Sequence, residues 1–179
     1  LGPSLHTIGF GQGISATPLQ LLVAASALAN GGVLVRPHVV RMVRDREGRL
    51  LQGVGTPPGR RVVSPEVAAA VVRMMVRAVE DGTGKLAAVP GYVVAGKTGT
   101  AQIPAPEGGY LEGRYIASFL GFAPVPQPRL AILVVLEEPR GAYFGGTVAA
   151  PVFRAIAEAA LWYLRVPPSA SLTIPGSAP

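Results

Sequence analysis

The 179-residue chain contains no cysteine. That excludes disulfides, thiolate metal sites and cysteine nucleophiles, while leaving the redox compartment open. Lysine is nearly as scarce, for Lys85 and Lys97 are the only two among 16 Lys+Arg residues. Aromatic residues make up 6% of the chain. None of them interleaves with the densest basic stretch, which runs from Arg36 through Arg44, Arg46 and Arg49 to Arg60 and Arg61. A nucleic-acid surface there would have charge but no stacking platform, so a solvated hairpin rim is the better reading. Long apolar runs are missing too. The longest, Leu130 to Leu136, is seven residues, against the roughly 18 that a membrane span requires. The start of the chain shows no charged-then-apolar signal pattern. His6 and His38 stand alone, without carboxylates at ligand spacing, which argues against a metal site.

What remains is 49% apolar and 15% charged, with a formal charge of +6. This composition suits one folded domain rather than a disordered chain. With 23 Gly and 18 Pro, many turns are expected. Three segments carry helix signals. Thr17-Pro18-Leu19-Gln20 is a capping box with proline at the first helical position, and Asn30-Gly31-Gly32 stops that helix. Ser64-Pro65-Glu66 opens a second helix, which ends at Gly82 and Gly84. Its expected core stripe is Val67, Val71, Met74, Met75, Ala78 and Val79. A third spans about Val148 to Leu164, with Val152, Phe153, Ile156 and Leu164 inward and Arg154 and Glu158 as an exposed pair.

Strand-like runs occupy Tyr92 to Ala101, Tyr115 to Ala123 and Arg129 to Glu137. The proline-rich link between the last two predicts an antiparallel pair. Val39 to Arg44 and Arg49 to Leu51 read as a small separate hairpin. The result is a mixed α/β (α+β) fold, of about three antiparallel strands with flanking helices. From Pro167 onward Pro, Ser and Ala dominate, which predicts a disordered tail over 167–179.

Chemistry concentrates in Ala95-Gly96-Lys97-Thr98-Gly99-Thr100-Ala101. Lys97 stands in a strand of otherwise apolar and small residues, so its charge is expected to serve a site. Thr98 and Thr100 share one strand face and Lys97 takes the other, so the ammonium must reach round the edge or the strand must twist. Two hydroxyls and a nearby cation make a carboxylate clamp. Chance alone produces Lys-Thr-Gly in about one of 90 chains of this composition, so the tripeptide needs support from its surroundings.

That support comes from four stretches in order: Gly11 to Gln20 (GQGISATPLQ), Ala95 to Gln102 (AGKTGTAQ), Tyr115 to Pro124 (YIASFLGFAP) and Tyr143 to Phe153 (YFGGTVAAPVF). Together they resemble the C-terminal part of the transpeptidase domain of class B penicillin-binding proteins, most like the cell-division type, over residues 1–166. The resemblance implies the penicillin-binding/β-lactamase-like fold and a serine D,D-transpeptidase that cross-links peptidoglycan. Thr98, Gly99 and Thr100 would bind the terminal carboxylate of a D-Ala-D-Ala stem peptide or a β-lactam. The Thr100 N–H would serve the oxyanion hole, and Lys97 would supply positive potential and aid proton transfer. Tyr143 and Phe144 would form an aromatic wall, with ordinary core packing at a helix start as the rival reading. No cofactor or metal is implied. Implied partners are the rest of the transpeptidase domain and cell-wall synthesis or divisome proteins. The implied setting is the bacterial periplasm or cell surface, with the parent anchored to the inner membrane by an N-terminal helix outside this chain.

The family's Ser-x-x-Lys and Ser-x-Asn motifs do not occur among the eight serines here. Both are expected upstream of Leu1, so the chain alone is expected to be inactive, to supply three of the family's five strands, and to expose an apolar edge or groove. Competing readings are a nucleotide site at Gly11-Gln12-Gly13-Ile14-Ser15-Ala16 (G-x-G-x-x-A), a non-catalytic cell-wall-peptide or scaffolding module, and a serine β-lactamase relative. Against the nucleotide site, Leu5 to Phe10 make a poor strand and Arg36 stands where an acidic residue is needed.

Overall fold

The computed structural model describes residues 14–53 and 59–169. His6, Gly11 to Gly13 and the 170–179 part of the proline-rich tail lie outside the described residues. Among those described, the elements run α1 (Pro18–Ala29), β1 (Val33–Leu34), β2 (Met42–Arg44), β3 (Leu50–Gly53), β4 (Arg60–Arg61), α2 (Pro65–Glu80), a 3-10 turn (Lys85–Ala87), β5 (Ala95–Pro104), β6 (Tyr110–Ala123), β7 (Leu130–Glu137), α3 (Gly145–Val148) and α4 (Ala150–Tyr163).

The main sheet is an antiparallel meander in the order β5-β6-β7. Its register pairs Lys97 with Leu120 and Leu120 with Leu133, while Thr98 pairs with Phe119 and Phe119 with Val134. Cross-strand partners share a face, so Lys97 and the two threonines belong to opposite sides of the sheet. α4 covers the threonine side through Phe119, Val134, Phe153 and Leu161. Phe119 and Phe153 meet at 4.8 Å between ring centres, tilted by 58°. Helices α1 and α2 cover the lysine side near Ala95 and Phe122, with Met75 and Val76 inward. Phe119, Phe122, Phe153 and Leu161 are all 0% exposed, each contributing about 1.5–3 kcal/mol of burial. β1 with β4 and β2 with β3 form two small separate sheets.

The capping signals operate as read. Thr17 and Gln20 exchange both bonds of a capping box at α1, and Ser64 Oγ accepts from Val67 N–H at α2. Several boundaries and faces differ. Val67 and Met74, expected in the core, are 51% and 69% exposed, and Ala68 and Val76 are buried instead. The third helix is two pieces that break at Ala149, with Pro151 in the first turn of α4. Of its expected inward residues only Phe153 is buried; Val152, Ile156 and Leu164 are exposed, and Ala150, Ala157 and Leu161 take their place. The buried stripe is Ala150, Phe153, Ala157 and Leu161, three and four residues apart, so Val152 and Ile156 fall on the flank of the face that meets the sheet and the 3-10 turn. Arg154 and Glu158 are not among the ion pairs of the described residues. β5 and β6 extend to Pro104 and back to Tyr110, farther than expected, while Tyr92 closes a turn through an isolated bridge to Val89.

Candidate active site

β5 has a paired edge against β6 and a second edge with no strand beside it among the described residues. The Lys-Thr-Gly segment therefore lies on a sheet rim, where side chains from both faces can approach one ligand. Lys97 is exposed, and its Nζ donates to the Thr98 carbonyl at 2.7 Å. The ammonium thus folds back along its own strand toward the threonine. On its face opens a groove of about 920 Å³, whose walls include Leu21, Met74, Met75, Leu120 and Leu133. Among the described residues, Lys97 is the one charged residue lining it. An apolar surround weakens solvent screening of that charge.

On the opposite face, Thr98 Oγ1 lies 2.9 Å from Thr83 Oγ1. Thr100 Oγ1 accepts from the Gly145 N–H at 3.1 Å. The two hydroxyls thus share a face, each held by a different neighbouring segment. Close approach explains Gly145-Gly146. A Cβ on Gly145 would collide with the Ser118 and Gly99 carbonyl oxygens, and one on Gly146 with the Thr83 carbonyl. Only glycine lets α3 seat its backbone directly on the β5–β6 pair.

Tyr143 and Phe144 precede that seat. Phe144 is 58% exposed and Tyr143 36%, so neither is core packing. Tyr143 stacks on Tyr115 of β6 at 4.2 Å with an 11° interplanar angle, and meets Phe144 at 4.5 Å. This ladder of three rings carries a large apolar contact surface in a fixed geometry. Below it, Arg114 and Glu138 form an ion pair across the β6–β7 end, and the Glu138 N–H donates to the Tyr115 carbonyl at 2.9 Å. Hydrogen bonding to Glu138, with its negative charge, raises the Arg114 pKa above its ordinary value.

The structure brings Lys97, Thr98, Gly99 and Thr100 together on one strand and sets Gly145 against them, with Tyr143 and Phe144 just before it. Helix α1, which starts in the stretch 11–20, lies on the groove side instead. Sequence reasoning missed Thr83, hidden in what reads as a helix stop. It also missed the part played by Tyr115, whose signal was its place at the head of a motif. No cluster of three or more His, Asp or Glu able to hold a metal occurs among the described residues. A second cavity, of about 420 Å³ between α1, α2 and the Val125-Pro126 turn, contains none of these site residues.

The family model for the penicillin binding protein transpeptidase domain matches residues 4–158. The chain belongs to that family. Its similarity is to class B members in particular. Stage V sporulation protein D of Bacillus subtilis is 41% identical over 164 residues, covering 90% of this chain and 25% of the relative. Peptidoglycan D,D-transpeptidase FtsI of Escherichia coli is 38% identical over 169 residues, covering 93% and 27%. This penicillin-binding transpeptidase segment thus spans about a quarter of the curated relatives it matches. Among solved structures, the transpeptidase domain of Burkholderia pseudomallei penicillin-binding protein 3 is 39% identical with a TM-score of 0.77, over 92% of this chain and 47% of that one. Penicillin-binding protein 3 of Mycobacterium tuberculosis, complexed with aztreonam, is 36% identical with a TM-score of 0.82, over 92% and 39%.

Proposed function

We propose that this segment supplies the substrate-binding strand of a serine D,D-transpeptidase that cross-links peptidoglycan stem peptides, and that β-lactams occupy the same place. The observation that carries the reading is the open rim of β5, which holds a cation and two hydroxyls around one strand edge. Thr98 and Thr100 donate to the terminal carboxylate of the donor peptide. The Thr100 N–H stabilises the oxyanion that develops on the scissile carbonyl. Lys97 adds positive potential and eases proton transfer through a hydroxyl of the Ser-x-Asn motif. Tyr115, Tyr143 and Phe144 form an apolar wall for the remainder of the ligand.

In this reading residues 1–166 form the C-terminal part of the domain and 167–179 a tail. The remaining domain, which brings the serine nucleophile, packs against the groove beneath Lys97. The parent acts on the periplasmic face or cell surface, anchored to the inner membrane by an N-terminal helix and working with cell-wall synthesis or divisome proteins. No described helix is long and apolar enough to cross a membrane.

Mass spectrometry after incubation with ampicillin tests the proposal. The intact domain gains one covalent adduct, and Lys97→Ala slows its formation by about 100-fold or more, the order expected for loss of a group acting in proton transfer. The chain alone gains none; an adduct on it would overturn the assignment of the nucleophile to another segment. An intact domain that binds stem peptide without ever being acylated would favour a non-catalytic wall-binding module instead.

A further inference from the structure

Both hydroxyls on the threonine face of β5 already have a protein partner, and the two partners differ in chemistry. A hydroxyl carries one proton and two lone pairs. The Gly145 N–H can only donate, so Thr100 Oγ1 accepts from it at 3.1 Å and keeps its own proton for the rim. Thr98 Oγ1 instead meets another hydroxyl, Thr83 Oγ1, at 2.9 Å, where either oxygen can be the donor. The direction of that one bond decides what Thr98 offers a ligand. Were Thr98 the donor, only lone pairs would face outward and would repel a carboxylate. With Thr83 as the donor, Thr98 keeps its proton for the anion.

We propose that Thr83 is a positioning residue of the carboxylate site, whose hydroxyl donates to Thr98 and so turns the Thr98 proton toward the ligand. The inference rests on the carboxylate-clamp reading above and adds a member that touches no ligand atom. Thr83 is well held for the task. It lies just past the end of α2, where the Gly84 N–H donates to the Ala78 carbonyl at 2.9 Å. Its carbonyl abuts Gly146, and the Thr98 methyl group lies 3.3 Å from the position a Cβ on Gly146 would take. The end of α2, the rim of β5 and the start of α3 therefore meet at this hydroxyl pair. A relay Thr83 to Thr98 to carboxylate also strengthens itself, since each bond polarises the next. The result is symmetric in effect: Thr100 is oriented by a backbone N–H and Thr98 by a side chain.

Acylation kinetics of the intact transpeptidase domain with ampicillin test this. Thr83→Val keeps the shape and removes the donor. It is expected to weaken reversible binding of ampicillin about 5-fold, as loss of one net hydrogen bond implies, with the first-order acylation step unchanged. Thr83→Ser is expected to restore binding to within about twofold. Thr98→Val, measured alongside, reports on the clamp itself. Weaker binding in Thr98→Val with none in Thr83→Val would overturn the role of Thr83 and leave the clamp standing. Equal losses in Thr83→Val and Thr83→Ser, accompanied by lower melting temperatures, would mark Thr83 as merely structural and overturn the proposal. No loss in either Thr98→Val or Thr83→Val would sink the clamp, and the inference with it.

Discussion

At the scale of single residues, the site depends on atoms that are absent as much as on those present. The Gly145 Cα lies where a methyl group would strike two backbone carbonyls, and backbone cannot swing aside as a side chain can. Gly145→Ala is therefore expected to destabilise the fold by about 1–3 kcal/mol, read as a lower denaturant midpoint with an unchanged slope. The exposed aromatic Phe144 should behave in the opposite way. Phe144→Ala is expected to change stability by no more than about 0.5 kcal/mol while weakening β-lactam binding to the intact domain, a split visible by comparing unfolding with acylation. Lys97 and the two threonines were legible in the sequence because their residue types stand out in an apolar strand. Thr83 was not, because a threonine between two glycines looks like a turn residue until the chain is folded and β5 comes within hydrogen-bonding distance.

Elements show the same contrast between local and tertiary information. The ends of α1 and α2 follow from caps that act within four residues, so the start signals at Thr17 and Ser64 coincide with the folded helices. Ser64→Ala is expected to cost about 1 kcal/mol. It should also change the response to acid. The Ser64 hydroxyl and then the backbone N–H of Glu66 hold the Glu66 carboxyl below its ordinary value against the opposing effect of burial, with the charge of Arg61 the least of the causes. A lowered folded value means that this contribution is complete above the ordinary glutamate range and is lost as pH falls through the lowered value. Melting curves from pH 6 downward, roughly through the ordinary carboxylate range, should show a smaller acid loss for Ser64→Ala and Glu66→Gln than for the parent. The helix faces were less legible. Val67 and Met74 sit on the periodic stripe of α2 yet stay exposed, because periodicity marks an apolar stripe without saying which edge of it meets the sheet. On α4 the buried stripe is Ala150, Phe153, Ala157 and Leu161 at helical spacing, and Val152 and Ile156 fall outside it.

For the whole molecule, the decisive surface is the groove of about 920 Å³ under β5, apolar apart from the end occupied by Lys97, Thr98, Gly99 and Ser118. Together with Val152, Ile156, Trp162 and Tyr163, all exposed on α4, it leaves apolar surface on both faces of the sheet. The chain alone is expected to self-associate, with a weight-average mass in sedimentation equilibrium that rises with concentration. A strict monomer at all concentrations would contradict this. The fold class and the order of the meander were readable from strand runs and the proline-rich link. The groove was not, since it forms from residues brought in by α1, α2 and four strands at once. β5, β6 and β7 follow one another in sequence and, among the described residues, pair only with their neighbours, joined by short connections. Each pairing is closed by a short connection, which costs little loop entropy. The rim carrying Lys97, Thr98 and Thr100 is therefore held by pairings between consecutive strands, whereas the groove beneath it also draws on helices from far earlier in the chain.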